Sequence, residues 1–126
     1  MNSIVHSHNL EINLTEKKSE IGKIAIVIFN SEEGFPKVSQ KAYYKSFVAL
    51  KDFPFNIDLP EGEYAISLFH DQNDNKKLDT NLIGIPKEAF GFSNNVLGVM
   101  GPPSFDKAKF KAMKSDSKIS IELKQF

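Results

Sequence analysis

A chain of 126 residues suffices for one ordinary domain and leaves little room for a second. It has no Cys, which removes disulfides, thiolate metal sites and cysteine nucleophiles. Sixteen acidic residues offset sixteen basic ones, all of them Lys, so there is neither a long-range field for nucleic acid nor the guanidinium fork suited to phosphate or guanine.

No apolar run approaches the roughly 18 residues of a membrane-spanning helix. The opening segment MNSIVHSHNLEINL also lacks the basic and long apolar regions of a secretory signal, so the chain reads as cytosolic as written or as a mature exported form. Residues 1–8 read as a flexible tail and residues 9–126 as one domain.

Hydrophobic alternation with a period of two runs through most of that domain. Leu10, Ile12 and Leu14 alternate with Glu11, Asn13 and Thr15, the pattern of a strand with one covered face. In IGKIAIVIFN, residues 21–30, Ile24, Ile26 and Ile28 occupy one face and Ala25, Val27 and Phe29 the other, as in a central strand. SEEGFPKVS then breaks the pattern as a loop. KAYYKSFVAL, residues 41–50, fits either a short helical stripe or a strand, and its aromatic and β-branched content favours strand.

Phe53, Phe55, Ile57 and Leu59 alternate up to the turn PEGE, with Pro54 tolerable at an edge or strand start. EYAISLFHD follows as another strand. Residues 70–104 read as mostly irregular, with one helical turn in PKEAF beginning at Pro86. FDKAKFKA and KISIELK close the chain as strands. The expected fold is all-β, an antiparallel β-sandwich of about seven strands. Its core draws on Ile24, Ile26, Ile28, Phe55, Ile57, Tyr64, Ile66, Leu68, Phe110, Ile119, Ile121 and Leu123.

The segment DQNDNKKLD carries the clearest chemical pattern. Asp71, Asn73, Asn75 and Asp79 place short oxygen-bearing side chains at relative positions 1, 3, 5 and 9, and the Lys77 carbonyl would supply position 7. A hard cation such as calcium needs about six or seven oxygens, which alternate residues of a tight loop can turn inward. A complete EF-hand is excluded, because Lys76 stands where the turn needs Gly and Leu82 where the bidentate Glu belongs. Two readings remain: a weak calcium loop between strands, or an Asx-rich turn whose side chains serve the backbone.

His70 adjoins this loop, and His70, Asp71 and Ser93 make the alternative catalytic set of a small hydrolase. No GxSxG elbow accompanies it. In FGFSNN, Phe90 and Phe92 are placed to plug one end of the sandwich, while Ser93, Asn94 and Asn95 could bind a small polar ligand or close a turn on their own backbone. The glycines fit neither GxGxxG nor a P-loop, so nucleotide binding has no support.

The stretches EGEYAISLFHDQNDNKKLDTNLIGIPKEAFGFSNN and GPPSFDKAKF resemble a bacterial family, domain of unknown function 2141. The resemblance is close over residues 61–110 and carries over His70, Asp71, Asn73, Asn75, Lys77, Asp79, Gly91, Phe92, Ser93, Asn94, Asn95 and Pro102. Lys76 departs from the Gly usual in the family. The resemblance implies a small exported protein, periplasmic or extracellular, whose signal peptide has been removed, with an immunoglobulin-like or transthyretin-like sandwich. Transthyretin-like hydrolases of purine-breakdown products use an arginine and a C-terminal Tyr-Arg-Gly-Ser; this chain has no Arg and ends in ELKQF, so that activity does not carry over. The expected function is a non-enzymatic binding or structural module of the cell envelope or extracellular space. Its partner would be a protein or a glycan, calcium is its one candidate cofactor, and nucleic acid and a membrane span are excluded.

Overall fold

Alternation resolves into strands in the computed structural model, which describes residues 7–15, 22–71, 89–96, 103–112 and 117–124. Among these residues eight strands form two sheets. β1 (Ser7–Thr15), β4 (Phe55–Pro60) and β8 (Ser117–Glu122) make a three-stranded sheet in the order β4-β1-β8. β2 (Lys23–Phe29), β3 (Tyr44–Ala49), β5 (Gly62–Asp71) and β6 (Phe90–Phe92) make the second in the order β3-β2-β5-β6, with β7 (Phe110–Ala112) also paired to β5. All pairings are antiparallel except β1 with β8. This is an open antiparallel β-sandwich, as the alternation predicts. β1 begins at Ser7, inside the segment expected as a tail.

The core lies between the sheets. Ile24, Ile26 and Ile28 of β2 register with His70, Leu68 and Ile66 of β5, and face Leu10, Ile12, Leu59 and Ile121 of the other sheet in one buried cluster. Each such aliphatic side chain contributes about 1.5–3 kcal/mol on burial. Phe55, Ile57, Phe110 and Ile119, expected in this core, pack against its rim half-buried.

The other face of β2 is buried as well, which is why this strand is apolar on both parities. Ala25, Val27, Phe29 and Ala65 lie there, and Phe35 from the β2–β3 loop packs edge-on against Phe29 at 5.2 Å between ring centroids. Phe35 also meets Phe92 at 6.2 Å and Phe105 at 5.9 Å. Phe92 registers with Ser67 and Phe90 with Phe69, so these rings cover the outer face of the sheet and do not plug an end of the sandwich.

One further expectation changes. FDKA is not strand but one helical turn, α1 (Phe105–Ala108), because Ser104 caps it by accepting from the Lys107 amide. The helical turn expected in PKEAF from Pro86 falls on residues 86–88, which lie outside the described residues; Phe90 belongs to β6.

The β4–β5 turn is held by a tyrosine corner. The Tyr64 hydroxyl donates to the Pro60 carbonyl at 2.7 Å, the device by which immunoglobulin-type sandwiches fix the passage of the chain from one sheet to the other. Burial, and next the neighbouring Tyr43, raise the Tyr64 phenol above its ordinary 10.0. Its ionisation is thus easier in the unfolded chain; the associated stability is complete below pH 10 and is lost as pH rises through the folded value. Tyr64→Phe should cost about 0.5–1.5 kcal/mol at neutral pH and flatten the alkaline loss, as read by urea titrations from neutral to alkaline pH. Gly91→Ala should cost about 1–3 kcal/mol in the same assay. Its Cβ would lie 2.6 Å from the Glu122 carbonyl oxygen and 2.7 Å from Ile121 Cγ2, where β6 crosses β8.

Candidate functional site

Of the polar residues singled out in the sequence, His70, Asp71 and Ser93 fall into two places along β5. His70 and Asp71 end the strand, 1% and 0% exposed, opposite Ile24 and Lys23 of β2. The His70 amide donates to the Ala89 carbonyl at 2.8 Å. Ser93 lies at the other place, 1% exposed, in a 3-10 turn (Ser93–Asn95) that follows β6.

Ser93 fills a gap between ladders. β6 pairs with Ser67–Phe69 of β5 and β7 pairs with Gly62–Tyr64, which leaves the Ile66 amide between them. Ser93 Oγ accepts from that amide at 2.9 Å and donates its one proton to the Ala108 carbonyl at 2.6 Å. Asn94 Nδ2 donates to the carbonyls on either side, Lys107 at 3.1 Å and Lys109 at 2.8 Å. Three successive carbonyls at the end of α1 are thereby satisfied by two neighbouring side chains. Asn94 and Asn95 reach these positions from left-handed backbone, φ 64° and 53°, which Asn tolerates better than most residues.

Asn95 serves the other sheet. Its Oδ1 accepts from the Glu122 amide at 2.8 Å and its Nδ2 donates to the Ser120 carbonyl at 3.5 Å, so its amide takes the place of a strand beside β8. Phe90 continues this edge with paired backbone bonds to Lys124 of 2.8 and 2.7 Å. Ser93 Oγ, Asn94 Nδ2 and both side-chain amide atoms of Asn95 are therefore engaged with backbone.

The structure does not bring Ser93 to His70. The amide held by Ser93 is four residues from His70 along an extended strand, about 13 Å. A serine nucleophile needs a base within hydrogen-bond reach, and the Ser93 proton is directed to a carbonyl instead. Asp71 is a direct neighbour of His70 but adjacent strand residues point to opposite faces. Of the calcium pattern, Asp71 is placed at the end of β5; Asn73, Asn75, Lys77 and Asp79 lie outside the described residues. Among the described residues no cluster of three or more His, Cys, Asp or Glu could hold a metal, and no helix is long and apolar enough to cross a membrane. A shallow polar depression lined by Asn9, Glu11, Ser117 and Lys118 shares none of these residues.

The model of an uncharacterized protein family conserved in bacteria, DUF2141, matches residues 12–120. The chain belongs to that family. No curated protein and no solved structure matches it significantly. For this DUF2141 chain, sequence reading missed the links that Ser93, Asn94 and Asn95 make to α1 and β8, since no local pattern marks which distant carbonyl an Asn serves. It also missed the tyrosine corner, for which Leu59-Pro60-Glu61-Gly62-Glu63-Tyr64 was a legible signal.

Ser93→Ala orphans the buried Ile66 amide and Ala108 carbonyl, at about 1–3 kcal/mol for each. Ser93→Thr keeps the hydroxyl and should retain more of that stability than Ala, which thermal unfolding of the two variants will read.

Proposed function

We propose that this DUF2141 chain is a non-enzymatic binding or structural module of the cell envelope or extracellular space, working on a protein or glycan partner through its surface. One observation carries the reading. The residues with base and nucleophile chemistry, His70 and Ser93, are both interior and stand apart, and the serine is spent on two backbone groups. The alternative hydrolase built on His70, Asp71 and Ser93 would need that serine released and moved along β5. A fluorophosphonate probe, which labels activated serines, should leave the native protein unlabelled to the level of Ser93→Ala. Stoichiometric labelling lost in that variant would overturn the reading in favour of the hydrolase.

The same module carries a calcium-binding loop at residues 71–79 in this proposal. Asp71, Asn73, Asn75, Lys77 and Asp79 are its ligands, and the support is the oxygen spacing together with the anchoring of Asp71 at the end of β5. With two carboxylates the affinity would be extracellular-grade, about 10⁻⁴–10⁻³ M. Binding confined to the folded state adds about 1.4 kcal/mol when free calcium is tenfold above Kd. The melting temperature should rise by a few degrees from EDTA to millimolar calcium, less with magnesium, and not at all in Asp79→Asn. Identical melts of the wild type in chelator and calcium would leave the Asx turn as the role of this segment.

A further inference from the structure

The two long sides of the sandwich differ. One is stitched by Phe90–Lys124 and by Asn95 on β8, whereas the other is bounded, among the described residues, by β3 and β4, the end strands of their sheets. Their edges carry opposite charge. The contrast lies within the strands: β3 exposes Lys45 and β4 exposes Asn56 and Asp58, whereas outside them Lys41 is paired with Glu33 at 3.2 Å and Lys51 is followed by the exposed Asp52.

Alternation fixes which backbone groups look outward. The Ile28 carbonyl accepts from the Tyr43 amide, so Ile24, Ile26 and Ile28 face β3, and their register partners Val48, Ser46 and Tyr44 face back. Lys45 and Phe47 are left directing N–H and C=O away from the sheet. In the other sheet the Thr15 carbonyl accepts from the Leu123 amide, so the odd residues of β1 face β8 and the even ones face β4. Phe55, Ile57 and Leu59 are thereby committed to β1, and Asn56 and Asp58 look outward.

The strand directions also suit each other. β3 runs with β5, since both are antiparallel to β2; β4 runs against them, through β1, β8, the Phe90–Lys124 bridge and β6. A two-fold axis along the strands then sets β3 of one copy antiparallel beside β4 of the next, and does so twice.

We propose that a second copy of this chain closes the open side as a two-fold dimer, with Lys45 paired to Asp58 and Phe47 to Asn56. In that register the outward backbone groups meet each other. The Lys45 ammonium faces the Asp58 carboxylate on the solvent side, and Ser46 and Val48 meet Ile57 and Phe55 on the interior side. Half-buried Phe53, Phe55, Ile57 and Tyr44 line the seam and are covered by it. A slip of one residue would set outward groups against groups already bonded to β1 and reverse the two faces. Each copy gives the same pair of edges, so the assembly closes at two.

Sedimentation velocity from micromolar to submillimolar protein tests this. The native chain should approach twice the monomer mass with concentration. Asp58→Lys and Lys45→Asp should each weaken association by about tenfold or more, and the two together should restore it. Both charges are exposed in the monomer, so melting temperatures under dilute conditions should match and show that the variants fold. A monomer at every concentration, a dimer indifferent to the single reversals, or a double variant that fails to reassociate would each overturn the proposal.

Discussion

Where a chain passes from one sheet to another, backbone amides and carbonyls leave one ladder before the next can receive them, and in this sandwich side chains of three successive residues take them up. Ser93 pairs the Ile66 amide and the Ala108 carbonyl, Asn94 the Lys107 and Lys109 carbonyls, and Asn95 the free edge of β8. An unpaired buried backbone group costs about 1–3 kcal/mol, a large share of the 5–15 kcal/mol by which domains are stable. Both sheets therefore depend on this corner. β6 is three residues long and could not hold the sheets together by its own ladder.

The corner makes the molecule one-sided. Gly91 allows β6 to approach β8 closely, and the Phe90–Lys124 bridge joins the sheets along that side. Nothing comparable joins β3 to β4 among the described residues, and in the proposed dimer the outward groups of one edge are served by the other. Edge strands in monomeric proteins usually carry charge to discourage pairing. Here the charges on the two edges are of opposite sign, which discourages like edges from meeting and favours unlike ones.

Much of the fold was legible because alternation is a direct consequence of burial on one face. β1, β2, β4, β5 and β8 all follow it, and β2 announced its central position by being apolar on both parities. The failures have physical causes. FGF is too short to show a period, and its strand identity comes from pairing with Ser67–Phe69, which local sequence does not encode. Ala108, Phe110 and Ala112 alternate, but the Ser104 cap outweighs the alternation over the preceding four residues. The candidate site was less legible. Ser, His, Asp and Asn were read in two segments, residues 70–79 and 93–95, and extension of β5 separates His70 from the amide that Ser93 holds.

The same chemistry that makes Asn attractive as a ligand residue explains its use here. Its side chain carries one carbonyl and one NH₂, the donor and acceptor of a peptide group, on a stem short enough to be fixed by its own backbone. Asn95 uses both functions at once on Ser120 and Glu122, and so stands in for a residue of a missing neighbouring strand. An Asp at this position could accept from Glu122 but would set a carboxylate against the Ser120 carbonyl. A Ser would be too short to reach both. The amide is thus selected by the geometry of the β8 edge, and a run of Ser and Asn after a short aromatic strand is accounted for by backbone pairing before any ligand is invoked.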